Sequence, residues 1–473
     1  MSDWEAPGVA IAVVKDDKVV YARGFGVREA GKGEFVNEHT LFAIGSATKS
    51  FTSAAVGKLV DEGKLKWDDP VIKYLPDFQL YDPYVTREIT IRDLLSHRSG
   101  LPRAVLSLML PYSRPEVLRR MRYLKPTSGF RSRFNYQNQL YQVAGTIIEK
   151  VAGKTWDAYV REKFFNPLDM RASNTSINAL KGVENVATPH AKIADRVRTI
   201  PYRNHDNTGP AGAINSNAVE MAEWLRLQLG GGERAGTRVI SLKAVREMHS
   251  PQVVIPTGAL TARLSPTTHF QAYGMGWFMR DYRGRKVIEH GGNVDGMTAQ
   301  VGMLPEEKLG VVILSNMEAT PLPQILMYKV FDAYLSGTTE VDLNAEHIKL
   351  AREGEQQQAE QRKQLEAKRA IDTKPSLPLE RYAGAYTNDL YGEAKVSFNN
   401  GKLQIRFNSE VIGELEHWEN DTFRAAWRDP YLASYAGKTI ITFTLNKAGE
   451  SEAIEAENIG NFARVGVSRK TER

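Results

Sequence analysis

The sequence predicts an α+β protein followed by an all-β domain, on three observations. Residues 1 to about 340 mix strand-like and helix-like segments. Residues 345–370, AEHIKLAREGEQQQAEQRKQLEAKRA, are helix formers with few large apolar side chains, the composition of a helical linker or an exposed helix. Residues 375–473 alternate apolar and polar positions in many short runs, as antiparallel strands do. The expected division is therefore 1–340, a helical linker at 341–374 and a β domain at 375–473.

The elements follow in order. VAIAVVKDDKVVYARGFGV (9–27) reads as two strands joined by a polar turn at Lys15–Lys18, a β-hairpin. FAIGSATKSFTSAAVGKLVDEGKL (42–65) turns from an apolar run into a helix. Phe51, Ala55 and Leu59 recur at i, i+4, with Val56 and Val60 beside them, and Gly63 is the stop signal. Further helices are expected around Gln139–Val151 and Glu220–Leu229. VGMLPEEKLGVVILSN (301–316) reads as a second hairpin with its turn at Pro305–Lys308. In the linker, Gly354 weakens the helix locally. Beyond it, KVSFNNGKLQIRF (395–407), WENDTFRAAW (418–427) and KTIITFTLNKAGESEAIEAE (438–457) alternate, with turn signals at Asn399-Asn400-Gly401 and Lys447–Glu450. A small barrel of short antiparallel strands is expected there.

At 473 residues the chain can bury a substantial core. It has no cysteine, which removes a disulfide framework, thiolate zinc sites and a cysteine nucleophile together. The formal charge is +6, but Lys and Arg are interleaved with Asp and Glu. A mildly basic enzyme surface is expected, not a nucleic-acid binder. No stretch approaches the length of a membrane span. The apolar run Val9–Val14 is too short for a signal segment and follows acidic residues. A cytoplasmic location and no membrane partner are expected.

Ser46 and Lys49 stand three residues apart, the one Ser-x-x-Lys in the sequence. On a helix that begins near Ser46, the two side chains share a face. Serine needs a base to become a nucleophile. A lysine serves if it is neutral, which desolvation or a cationic neighbour achieves. Phe42, Ile44 and Phe51 supply apolar surroundings, and the helix N-terminus favours an incipient alkoxide. Without further context, an N-cap serine and a solvated lysine explain the spacing equally well. Other hydrolytic and nucleotide-binding signatures are missing: no serine lies in Gly-x-Ser-x-Gly, there is no His-Glu-x-x-His, and there is no phosphate loop. The nine histidines do not fall in metal-ligand spacing. No cofactor and no metal are expected.

Six segments in order set Ser46 and Lys49 in context: FAIGSATKSFTSAAVGKLVDEGKL, TIRDLLSHRSGLP (90–102), FNYQNQLYQVAGTIIEKVAG (134–153), YGMGW (273–277), HGG (290–292) and LPEEKLGVVILSN (304–316). Together they resemble the serine β-lactamase / penicillin-binding-protein superfamily, and within it the class C-like CubicO branch of D-aminopeptidases, D-Ala-D-Ala carboxypeptidases and esterases. The resemblance implies a β-lactamase-like catalytic domain, an antiparallel sheet flanked by helices plus an all-helical subdomain. The C-terminal third resembles the lipocalin-like antiparallel β-barrel that some of these enzymes carry, among them an archaeal self-compartmentalising peptidase.

Roles follow from the resemblance residue by residue. Ser46 would be acylated, and Lys49 would take or orient its proton. Tyr136 and Asn138 match the family's Tyr-x-Asn. The phenol of Tyr136, with its pKa depressed beside a lysine ammonium, is the alternative base, and sequence does not choose between the two. Asn138 would hold Lys49 and the substrate amide. Tyr-x-Asn recurs at Tyr202–Asn204 and Tyr386–Asn388, but only the 136–138 copy is followed by the helix pattern. His290-Gly291-Gly292 falls where many relatives have Lys-Thr-Gly. A neutral histidine there removes a fixed charge for a substrate carboxylate but can hydrogen-bond Tyr136 or a tetrahedral intermediate. Gly291 and Gly292 would let a substrate backbone lie close. The oxyanion donors would be the backbone N–H groups of Ser46 and Asn293.

His97 reads as part of a structural turn, His205-Asp206 as a possible border of the cleft, and Trp67, Trp156, Trp224 and Trp277 as core. The expected function is a serine hydrolase, foremost a peptidase on short peptides that tolerates D-residues. A carboxylesterase or β-lactamase of the same fold are the enzyme alternatives. Outside catalysis, the barrel is either a small-molecule carrier or a module for homo-oligomer assembly and cleft access, with the second favoured.

Overall fold

The computed structural model describes residues 1–103, 110–335 and 341–466. They form two compact units. The larger takes in most of residues 1–348, and the smaller holds 349 onward together with 110–112 and 193–196. The expected boundary at 340 falls outside the described residues.

The larger unit is built on an antiparallel sheet of β1 (Gly8–Lys15), β2 (Lys18–Gly26), β3 (Val253–Ile255), β4 (Gln271–Tyr273), β5 (Phe278–Tyr282), β6 (Arg285–Val294), β7 (Met297–Leu304) and β8 (Leu309–Ser315). The order is β2-β1-β8-β7-β6-β5-β4-β3. Both expected hairpins form. Asp16 and Asp17, at φ 49° and 59°, make the two-residue turn between β1 and β2, the twist-compatible hairpin turn. Strands β7 and β8 are buried along their whole length, which explains their continuous apolar runs.

Helices α1 (Thr48–Asp61), α2 (Gln139–Ala152), α3 (Ala218–Leu229) and α4 (Leu322–Leu335) belong to this unit. Helix α1 carries the candidate lysine. It ends as the sequence predicts: Gly63 is left-handed at φ 68°, the Gly63 N–H donates to the Val60 carbonyl, and the Lys64 N–H donates to that of Leu59. That is a Schellman cap. Phe51 stacks on Trp224 with centroids 3.8 Å apart, and Trp224 Nε1 donates to Ser50 Oγ at 3.1 Å. The four tryptophans expected in the core are all buried.

Helix α5 runs Leu343–Lys368 without a break at Gly354. Its start is part of the larger unit: Leu343 is buried in that unit's core and Trp4 Nε1 donates to Asn344 Oδ1 at 2.8 Å.

In the smaller unit, eight strands from Gly384–Asn388 to Gly460–Arg464 close into an antiparallel barrel. Tyr386 pairs with Arg464 at the seam. Asn400-Gly401 turns one hairpin with both φ values positive. The interior is packed with buried rings, including Tyr382, Tyr386, Phe423, Phe443 and Phe462.

Candidate active site

Ser46 lies in a single 3-10 turn, Gly45–Ala47, immediately before α1. The helix therefore starts two residues later than the spacing argument assumes, yet Ser46 and Lys49 still meet. Lys49 Nζ is 2.9 Å from Ser46 Oγ and donates to the Ala211 carbonyl at 2.8 Å. Lys49 is fully buried and no carboxylate pairs with it among the described residues. Burial, followed by the positive charge of Arg103, holds its pKa well below 10.5. Burial without a counter-ion disfavours the charged form of an amine. The desolvating groups differ from those expected. The rings of Tyr136 and Tyr141 flank the amine, with centroids 4.9 and 5.3 Å away, whereas Phe51 faces Trp224 and Phe165.

Tyr136 lines the same cleft as Ser46. Its pKa moves opposite to the expected direction: burial pushes the phenol up to about 12, with Ser46 and Arg103 opposing. A depressed phenol needs a nearby ammonium, and burial disfavours that form of Lys49. The other two Tyr-x-Asn copies are elsewhere. Tyr202 donates to the Ala187 carbonyl at 2.5 Å, and Tyr386 is in the barrel interior.

The segment TIRDLLSHRSGLP holds Tyr136 in place. Thr90 and Asp93 form a capping box on the helix Ile91–Leu95. Buried Asp93 takes Arg98 and Arg131, each at 2.6 Å. The backbones of Asn135 and Arg131 then donate to the carbonyls of His97 and Arg98, both at 2.7 Å. His97 Nδ1 accepts the Gln137 N–H at 3.1 Å, and the imidazole lies under Tyr136 with centroids 4.1 Å apart. The structural reading of His97 holds, and its product is the placement of the phenol.

His290 is buried on β6. Its partner is not Tyr136 but Tyr273, whose Oη lies 3.0 Å from Nε2, while Nδ1 is 2.6 Å from the Gly291 carbonyl. A carbonyl only accepts, so Nδ1 carries the proton and Nε2 accepts from Tyr273. Burial and then the neighbouring Lys49 lower its pKa to about 3, against the Gly291 bond. Asn138 does not reach Lys49, whose second partner is Ala211. Asn138 Oδ1 is buried without a hydrogen-bond partner among the described residues.

Strand β6 outruns its neighbour β5, which pairs only with Arg285 to Glu289. Residues 290–294 therefore present an edge without a strand partner among the described residues. There β6 meets the turn bearing Ser46. A Cβ on Gly292 would sit 1.9 Å from the Ile44 carbonyl oxygen and 3.0 Å from Ser46 N. A Cβ on Gly45, which has φ 50°, would sit 2.8 Å from Asn293 N. Only glycines allow this approach, which brings the backbone nitrogens of Ser46 and Asn293 to one place. A cleft of about 440 Å³ opens over them, lined by Ser46, Tyr136, His290, Gly291, Gly292 and Asn293 with Arg103, Phe278 and Gln324. His205 and Asp206 line a separate small cavity instead.

The model of the Beta-lactamase family matches residues 2–333. The chain belongs to the Beta-lactamase family. A second family model, described as a domain of unknown function (DUF3471), matches residues 368–466 of this β-lactamase-family chain. The chain is 27% identical to Unguisins hydrolase ungD of Aspergillus violaceofuscus over 99% of itself and 87% of that protein. Among solved structures it is similar to the octameric penicillin-binding protein homologue from Pyrococcus abyssi, with TM-score 0.65, 23% identity, and coverage of 98% of this chain and 97% of that one. The D-amino acid amidase from Ochrobactrum anthropi SV3, complexed with L-phenylalanine amide, matches with TM-score 0.58, 22% identity, and coverage of 74% and 95%. These structures share its fold. Its hydrolase relatives support a hydrolase. No helix among the described residues is long and apolar enough to cross a membrane.

Two partners in the β-lactamase-family site escape sequence reasoning. YGMGW was a marker without a mechanism, and the structure gives it one: Tyr273 bonds His290, and Gly276, at φ 80°, brings its backbone against the Lys49 carbonyl, where a Cβ would stand 2.8 Å away. The Ala211 carbonyl that holds Lys49 has no side-chain signal at all.

Proposed function

We propose that the chain is a serine hydrolase acylated on Ser46, acting on short peptides and tolerating D-residues. The observation that carries this reading is the buried amine of Lys49, without a counter-ion among the described residues, at 2.9 Å from Ser46 Oγ. A neutral amine donates to the Ala211 carbonyl and still has a lone pair for the serine hydroxyl. In the proposed reaction Ser46 Oγ attacks the scissile carbonyl and its proton passes to Lys49. The carbonyl oxygen, now anionic, takes the N–H groups of Ser46 and Asn293. The raised pKa of Tyr136 supports Lys49 as first base and gives the phenol the complementary task. It donates its proton to the leaving nitrogen and regains one from Lys49. Water then hydrolyses the acyl-enzyme by the reverse relay. Neutral His290 positions the β6 edge and supplies no charge for a carboxylate.

A D-amino acid amidase among the structures of similar fold, and a hydrolase among the relatives, support amide substrates. The octameric homologue supports homo-oligomer assembly, with a role in that for the barrel, whose packed interior suits a module better than a carrier. The domain limits 1–340, 341–374 and 375–473 remain the proposed division of these tasks. The test is labelling with a fluorophosphonate and turnover of L- and D-amino-acid anilides, nitrophenyl esters and a chromogenic cephalosporin. Ser46→Ala is expected to lose label and turnover; a labelled or active variant would remove Ser46 as nucleophile.

A further inference from the structure

A second cavity of about 290 Å³ lies beside the cleft, and Arg280 and Gln324 line both. Its other walls include Leu260, Leu264, Tyr282, Tyr328, Leu343 and His347. We propose that this cavity is a subsite for an apolar side chain of the same peptide whose bond is cleaved in the cleft, and that the Gln324 amide holds the peptide backbone passing between the two. The proposal rests on the hydrolase reading above.

Size, charge and continuity argue for this occupant. Pockets that take a whole small molecule run to about 300–1,000 Å³, so the second cavity suits one side chain of a larger ligand. The charged group in the wall is already neutralised: Arg280 pairs with Glu289 at 2.5 Å. Glu289 also accepts from Gln300 Nε2 at 2.9 Å and from Tyr328 Oη at 3.3 Å. Burial lowers the pKa of His347, so it too is neutral near pH 7. No charge is left to attract an ion, and leucine and tyrosine surfaces favour apolar matter. At the shared rim, Gln324 is half-buried and its amide makes no hydrogen bond among the described residues. A side-chain amide both donates and accepts, as an extended peptide requires. A substrate confined to the Ser46 cleft would leave the second cavity empty.

The test uses hexapeptides in which one Leu is moved through a Gly background. Binding to full-length Ser46→Ala is measured by calorimetry, and kcat/KM is measured on the wild-type protein beside p-nitrophenyl acetate. At one position Leu is expected to improve both quantities on the order of tenfold over Gly. Thr261→Trp and Leu264→Trp fill the cavity from one side; each, shown folded by its thermal melt, is expected to bring that ratio to about one. Gln324→Ala is expected to weaken all hexapeptides and leave the Leu:Gly ratio standing. Equal binding of Leu and Gly at every position, or a ratio that survives in a folded Trp variant, would overturn the subsite. If ester and peptides all go unhydrolysed by wild type, the hydrolase reading fails, and the binding measurement still decides the subsite.

Discussion

The amine of Lys49 and the carboxylate of Asp93 are both fully buried, and their surroundings are opposite. Asp93 is met by Arg98, Arg131 and the Thr90 cap. Burial pushes its pKa up, but Arg131, Thr90 and Arg98 together hold it below 3.8. It stays charged and ties the 97–100 segment to the 127–135 segment. Lys49 has a hydroxyl, a carbonyl and two aromatic rings, and no counter-ion among the described residues. Burial, followed by Arg103, disfavours its charged form. A buried ion with partners is scaffolding, whereas a buried base without them is held ready to take a proton.

The largest expected effect separates activity from stability at Lys49. Lys49→Met should lower kcat/KM by roughly 10²–10⁴-fold while the melting temperature stays level or rises, because a desolvated amine is replaced by an isosteric apolar chain. Retained rates with a lower melting temperature would reverse the comparison. Asp93→Asn should do the opposite. It leaves two arginines without their charge partner, an effect on the order of 3–5 kcal/mol, read by urea unfolding, while activity per folded molecule falls far less than in Lys49→Met.

A third expectation concerns acid. His290 and His249 are both held at about 3, below an unfolded value of about 6.5. As pH falls through that window the unfolded chain binds protons first, so stability is full above about pH 6.5 and each histidine removes about 1.4 kcal/mol per pH unit below it. Melts at neutral pH and near pH 5 measure this, and equal melting temperatures would mean these imidazoles are solvated. The smallest effect sharpens the Lys49 side. Arg103 is exposed, makes no ion pair among the described residues, and lowers the Lys49 pKa after burial. Arg103→Gln should therefore move the rising limb of the kcat/KM–pH profile to higher pH. A limb that stays in place would assign the depressed pKa to burial alone.

Much of this was legible from local pattern. The two hairpins, α1 with its Gly63 stop, the α2 and α3 helices and the alternating strands of the barrel all depend on residues close in sequence. Ser46 and Lys49 were legible for the same reason, since three residues on a first turn stay together whatever packs around them. The misassigned partners at the site are all non-local. Phe51 was expected to dry the amine, but Tyr136 and Tyr141, about ninety residues on, do so. The Tyr136 phenol was expected to be acidified, His290 to bond Tyr136 or a tetrahedral intermediate, and Asn138 to hold Lys49 and the substrate amide. In the structure the phenol is raised, Tyr273 takes His290, and a backbone carbonyl takes Lys49.

The sequence alone determined which chemical groups are present and which of them are neighbours along a turn: a hydroxyl, an amine three places later, a phenol, and a histidine followed by two glycines. Only the tertiary structure decided their protonation. A pKa is set by the water removed and the charges brought near, and here both come from segments scores of residues apart, folded onto the first turn of one helix.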